Sequence, residues 1–172
     1  MKKNIAVLMG GYSSEYNISL KSGEVVYNTL IKEDDINLFK VIISEKEWKC
    51  IDSKNLLLEI KKDSFQFIRN NELISVDLVF NTVHGIPGEN GEIQRYFENL
   101  NIKQTSSESS ESKLTFDKDR CKNEVKKIGH QIPNSILIMK EEVISSDKIL
   151  KKLPLPLFIK PNSGGSSFGI SR

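Results

Sequence analysis

Two strand-like runs, Ile5-Ala-Val-Leu-Met9 and Asp77-Leu-Val-Phe-Asn-Thr-Val83, each stop at a glycine turn, Gly10-Gly11 and His84-Gly85. A strand buried on both faces reads as such a run, and each run here is followed by a helical pattern. Ser19 is a suitable N-cap for a helix to about Lys32, with Val26 and Leu30 in i, i+4 contact. After the second turn, Ile93, Tyr96, Phe97 and Leu100 fall on one helical stripe. Strand, loop and helix, repeated, predict an α/β fold with a doubly wound parallel sheet. Ligands of such sheets sit beyond the carboxyl ends of the strands, where the loops 10–17 and 84–91 both fall.

Between the two units of this rhythm, a strand is expected over Phe39–Ile43 and a short helix near Asn55–Lys61. A polar hairpin through Phe65, Phe67 and Ile74 follows. The Ser/Glu-rich stretch Thr105–Ser112, a brief helix or a linker, shifts the composition and places a domain boundary there. The expected domains are 1–105 and 106–172. The second opens with a helix from Thr115 to Ile128, striped by Cys121, Val125 and Ile128. A strand at Ser135–Met139, a Lys-rich helix over Glu141–Lys152 and a strand at Leu157–Lys160 follow, then the loop Pro161–Gly169.

Composition closes off several functions. Lys and Arg number 25 against 23 Asp and Glu, so a net charge of +2 leaves no electrostatic footprint for nucleic acid or an anionic membrane. The apolar run Ile5–Met9 is too short for a signal-peptide core or a membrane span. Cys50 and Cys121 form no CxxC and lack a paired Cys/His spacing, which disfavours a disulfide framework and a zinc site. A reducing cytoplasm is the expected compartment.

Three loops carry chemistry. Gly10-Gly11-Tyr12-Ser13-Ser14-Glu15 joins a strand to a helix, and its order is not that of a dinucleotide fingerprint. Glu15 suits capture of an ammonium group, or is a solvated acid at a helix start. His84-Gly-Ile-Pro-Gly-Glu-Asn-Gly91 is heavily constrained for a mere connection. His84 there can bind a carboxylate or carry a proton, with Glu89 orienting it or opening the next helix. Phe158-Ile-Lys160-Pro161 runs into Gly164-Gly165-Ser166-Ser167-Phe-Gly169. A lysine followed by glycine amides and hydroxyls can cradle a polyphosphate, the alternative being a flexible Gly/Ser tail. It is not a Walker loop.

Taken together, GGYSSEYNISLKSG (10–23), HGIPGENGEIQ (84–94), FDKDRCK (116–122) and FIKPNSGGSSFGIS (158–171) resemble, in order and spacing, the D-alanine–D-alanine ligases of the ATP-grasp superfamily. The resemblance spans essentially the whole chain. It implies a pre-ATP-grasp α/β domain that binds the first D-alanine, followed by the first part of an ATP-grasp α+β domain that clamps ATP. By the same resemblance, Glu15 holds the ammonium of the first D-alanine and His84 lies near its carboxylate. Lys118 and Lys160 bind ATP phosphates, Ser166 supports the active-site network, and Ser167 with the neighbouring Gly165 and Ser166 closes over the phosphates. The implied reaction phosphorylates one D-alanine on its carboxylate and couples it to the amine of a second, in cytoplasmic peptidoglycan synthesis.

Three positions depart from the family's pattern. Arg95 replaces a small residue, Tyr16 replaces a basic one, and the glycine of a Tyr-Thr-Gly turn is absent from Gln104-Thr-Ser-Ser107. Family members continue for about as long again after the glycine-rich loop. That stretch carries the adenine pocket, an arginine for the transferring phosphate and the ligands of Mg2+ (or Mn2+), so no metal ligand is assigned in this chain. The chain is therefore expected to be the N-terminal half of a ligase that works as a homodimer. The alternatives are another ATP-grasp ligase, such as a D-alanine–D-lactate enzyme, and a non-catalytic amino-acid-binding fragment needing a second polypeptide.

Overall fold

β1 (Lys3–Gly10) carries the first apolar run, and its side chains alternate between two cores because successive strand residues face opposite ways. The computed structural model describes residues 2–165 and 167–172. The chain divides into two units, Met1–Lys113 and Leu114–Arg172. In the first, Val7 and Met9 pack with Tyr27, Leu20, Val26 and Leu30 of α1 (Tyr16–Leu30), while Ala6 and Leu8 join a larger cluster. Burial on both sides is why this strand reads as one continuous apolar run.

β2 (Ile36–Ile43) lies parallel to β1. The chain then departs from a wholly parallel sheet. β3 (Trp48–Asp52), β4 (Leu57–Lys61), β5 (Gln66–Arg69) and β6 (Glu72–Ile74) form an antiparallel meander off β2. β7 (Leu78–Asn81) returns parallel to β1 on its other side. After α2 (Glu92–Asn99), β8 (Lys103–Gln104) pairs parallel to β7. The strand order β6-β5-β4-β3-β2-β1-β7-β8 is thus parallel in one half and antiparallel in the other.

The helix expected near Asn55–Lys61 is β4 instead. Leu58 and Ile60 turn inward while Leu57, Glu59 and Lys61 face out, a period of two. Asp52 fixes the preceding turn: its buried carboxylate accepts from the Lys54 and Leu56 amides at 2.9 Å and pairs with Arg69 at 2.6 Å. The hairpin through Phe65, Phe67 and Ile74 is present, but its aromatics are core rather than polar surface. Phe65 and Phe67 are fully buried, and Phe65 meets Phe97 of α2 edge-on with ring centroids 4.9 Å apart. Burial in this cluster pushes the Cys50 thiol up to about 12 and the Tyr96 phenol to about 12.

α3 (Ser109–Phe116) occupies part of the stretch read as helix or linker. In the second unit, α4 (Lys118–Lys127) begins afresh because Asp117 is extended and caps it, accepting from the Arg120 amide. The long helix expected over Glu141–Lys152 shrinks to α5 (Ser146–Leu150), capped by Ser145. The strands expected at Ser135–Met139 and Leu157–Lys160 do not form: among the described residues only an isolated bridge joins Ile159 to Ser171. A strand needs a ladder partner, and without one these apolar segments stay out of the core, with Phe158 62% and Ile159 71% exposed. Among the described residues no helix is long and apolar enough to cross a membrane.

Candidate substrate and phosphate sites

In the first unit, the loops after β1 and β7 are stitched together at one edge of the sheet. The Gly11 amide donates to Ile43 O at 2.9 Å, and the Tyr12 amide to Ile86 O at 2.7 Å. These two amides are consumed internally, so the loop acts as a clamp rather than an anion nest. Gly10 is required by close approach: at φ +96° a β-carbon there would lie 2.3 Å from Ile43 O. The Tyr16 ring closes in on the same glycine, its Cε2 3.0 Å from where that β-carbon would lie.

Ser19 is not a cap. It is buried within α1, where its hydroxyl accepts from the Gly10 amide at 2.8 Å and donates to Thr82 O at 2.9 Å. It joins the ends of β1 and β7, which fixes the spacing of the two loops. Glu15 instead sits at the start of the helix, its carbonyl accepting from the Ile18 and Ser19 amides. The carboxylate is carried inward, leaving the residue 7% exposed.

The loop 84–91 is built against that carboxylate. A β-carbon on Gly85, at φ +69°, would fall 2.5 Å from Ser13 Oγ and 2.8 Å from Glu15 Oε2. Ser13 Oγ donates to His84 O at 3.2 Å and accepts from the Glu15 amide at 3.2 Å, so one hydroxyl spaces the two candidate residues. On the His84 ring, Nε2 lies 3.0 Å from Ser22 Oγ of α1. Glu89 closes the loop on itself, its carboxylate accepting from the Gly85 amide at 3.1 Å. Gly88 O receives the side-chain amides of both Asn81 and Gln94. Gln94 is 1% exposed, and its Oε1 has no partner among the described residues. Arg95, next to it, lies on the exposed face of α2, so its long side chain disturbs no packing.

In the second unit, Lys118 and the glycine-rich loop meet. Lys118 Nζ donates to Gly164 O at 2.7 Å and lies 3.4 Å from Asn162 O. Asn162 pins the loop to the head of α4: its Oδ1 accepts from the Asp119 amide and its Nδ2 donates to Asp117 Oδ1, both at 2.9 Å. The Arg120 amide and the Asn162 side chain hold the Asp117 carboxyl below the usual carboxylate range. Gly165 is half-buried, its carbonyl accepting from Phe168 N at 3.1 Å, and Ser167 adopts φ +58°. Lys160 is exposed, and among the described residues its side chain makes no hydrogen bond or ion pair with this cluster. Ser166 lies outside the described residues.

The family model for the D-ala D-ala ligase N-terminus matches residues 4–107, the stretch that holds both stitched loops. The chain belongs to this family. A D-alanine--D-alanine ligase of Flavobacterium johnsoniae is 44% identical over 170 residues, which cover 99% of this chain and 52% of that protein. That of Parabacteroides distasonis is 40% identical over 172 residues, 100% of this chain and 52% of the other. The chain thus spans about half the length of the curated relatives it matches. Among solved structures, the D-alanine-D-alanine ligase from Coxiella burnetii superposes with a TM-score of 0.83 at 25% identity, over 99% of this chain and 54% of that one. The VanG D-Ala:D-Ser ligase from Enterococcus faecalis gives 0.80 at 33% identity, over 99% and 55%. The α/β fold, with its antiparallel half, is the fold of this ligase family.

The residues that sequence reasoning missed are the ones that hold the site. Ser13, Ser19, Ser22, Asn81 and Asn162 make contacts across long stretches of chain, and Gln94 braces the nearby Gly88 carbonyl. All but Asn81 lie inside the four motifs, yet the motifs point to none of these contacts. Their hydroxyls and amides carry no periodic or spacing signal of their own.

Proposed function

We propose that the chain supplies the first-substrate site and part of the phosphate-binding surface of an ATP-dependent D-alanine–D-alanine ligase of peptidoglycan synthesis, a cytoplasmic homodimer in its complete form. The observation that carries the reading is the buried Glu15 carboxylate seated against Gly85, with His84 spaced from it by Ser13. A carboxylate and an imidazole on adjoining loops match the two ends of a small amino acid. Glu15 holds the ammonium, and His84 lies beside the carboxylate.

Lys118, tied to the loop 161–169, faces the phosphates of ATP together with Lys160, Gly165, Ser166 and Ser167. Cationic and amide donors stabilise charge on a transferring phosphoryl group. A carboxylate oxygen of the first D-alanine attacks the γ-phosphorus, releasing ADP and forming an acyl phosphate. The amine of the second D-alanine then attacks the acyl carbon, and inorganic phosphate leaves as the amide bond forms. Mg2+ or Mn2+ would neutralise the phosphates; among the described residues no group of three or more His, Cys, Asp or Glu gathers to hold it. The likeness to a D-Ala:D-Ser ligase supports a second reading, in which the first site is the same and the second substrate differs.

The test is Glu15→Gln in a form of the relatives' full length. Losing a charge-assisted contact, worth about 1.5–3 kcal/mol, is expected to raise the KM for the first D-alanine about ten- to hundredfold. ATP affinity should hold. An unchanged dependence on D-alanine removes Glu15 from the site.

A further inference from the structure

His84 is held at two points from two different elements. Its carbonyl accepts from Ser13 Oγ at 3.2 Å, which fixes the backbone, and its ring is met by Ser22 Oγ of α1 at 3.0 Å on Nε2. Among the described residues Nδ1 has no hydrogen-bond partner. Ser22 is half-buried on α1, one helical turn beyond Ser19, whose hydroxyl ties the ends of β1 and β7. The hydroxyl that meets His84 therefore comes from a surface already locked to the strand ends.

We propose that Ser22 is a positioning residue that keeps the His84 imidazole in its Nδ1–H form, so that the ring always offers an N–H donor to a substrate carboxylate. The inference rests on the reading of His84 as the carboxylate partner of D-alanine. The chemistry of a hydroxyl makes it suited to this task, since it can either donate or accept. With a neutral ring, Ser22 O–H donates to the bare Nε2 and the ring proton resides on Nδ1. With a charged ring, Nε2–H donates to Ser22 Oγ and Nδ1 keeps its proton. In both states the unpartnered nitrogen is a donor. Which ring nitrogen carries the proton is set by the hydrogen bond that the other one makes. A carboxylate or a backbone carbonyl at Nε2 would accept only, leaving a neutral ring to present a lone pair that repels a substrate carboxylate.

The chain holds two histidines, His84 and His130, so ring nitrogens labelled with 15N give two sets of signals and an internal control. His130 lies on the exposed surface. In the neutral form and without any ligand, His84 is expected to be mainly Nδ1–H. Ser22→Ala, which suits a helix, should lower the ratio of Nδ1–H to Nε2–H about fivefold, the equivalent of one ordinary hydrogen bond. His130 should not change, and Ser22→Thr, which keeps the hydroxyl, should retain the wild-type ratio. A wild-type His84 that is mainly Nε2–H overturns the proposal. So does a ratio unaltered in Ser22→Ala, or a Ser22→Thr ratio equal to that of alanine. The ratio is read without D-alanine, so its failure leaves the substrate site standing. Retention of the ratio with no response of the His84 signals to added D-alanine would reject that site instead.

Discussion

Gly85→Ala is expected to lose D-alanine recognition while keeping the sheet. At φ +69° an added methyl group would strain the backbone, at a cost of about 1–2 kcal/mol for a left-handed non-glycine residue. The larger effect is local. The β-carbon would sit 2.5 Å from Ser13 Oγ and 2.8 Å from Glu15 Oε2, closer than real contacts allow. Ser13 is the spacer between the Glu15 amide and the His84 carbonyl, so its displacement moves both ends of the candidate site. Breaking two such contacts at once, each worth about 1 kcal/mol or more, should lower D-alanine affinity by roughly thirtyfold or more. Calorimetric titration beside thermal unfolding separates the two effects. A variant that binds D-alanine as the wild type does would show that the loop 84–91 takes no part in recognition.

Phe97→Ala should have the largest effect on stability. Phe97 is fully buried on α2, with its ring 4.9 Å from Phe65 and 5.0 Å from Tyr96. It fastens the helix that follows the His84 loop to the antiparallel half of the sheet. Truncating a buried phenylalanine leaves a cavity and costs about 3–5 kcal/mol, a large share of the ~5–15 kcal/mol that holds a domain together. The single tryptophan, Trp48, packs edge-on against Phe65 and Tyr96, so its fluorescence reports this unit alone. The denaturant midpoint should fall with an unchanged slope. A midpoint within experimental error of the wild type would mean that α2 is not anchored through this ring.

The parts legible in the sequence were those with a local signal. Ile5–Met9 announced a strand buried on both faces, and the Ile93, Tyr96, Phe97, Leu100 stripe announced α2. The two glycine turns marked one sheet edge, and there Glu15 and His84 lie on adjoining loops. The antiparallel meander was not legible in the same way. Leu56-Leu57-Leu58 followed by Glu59-Ile60 is a short apolar run that fits helix or strand until a neighbour supplies the ladder. Ser19 carried a cap signal that the fold overrode, because its hydroxyl found the ends of two strands instead. The second unit shows the reverse case. Ser135–Met139 and Leu157–Lys160 have strand composition, yet no described segment pairs with them beyond the bridge from Ile159 to Ser171. The supports of the site were hidden by distance, since Ser22 reaches His84 across 62 positions and Ser13 reaches it across 71.

The proposed function rests on recognition of D-alanine by the first unit through Glu15 and His84. A titration of the 15N-labelled chain with D-alanine, followed by amide and histidine-ring shifts, tests it most directly. Saturable changes are expected in the loops 10–17 and 84–91 and in the His84 ring, with much weaker changes for L-alanine and their loss in Glu15→Gln. Equal responses to both enantiomers, or no response in these loops, would contradict it.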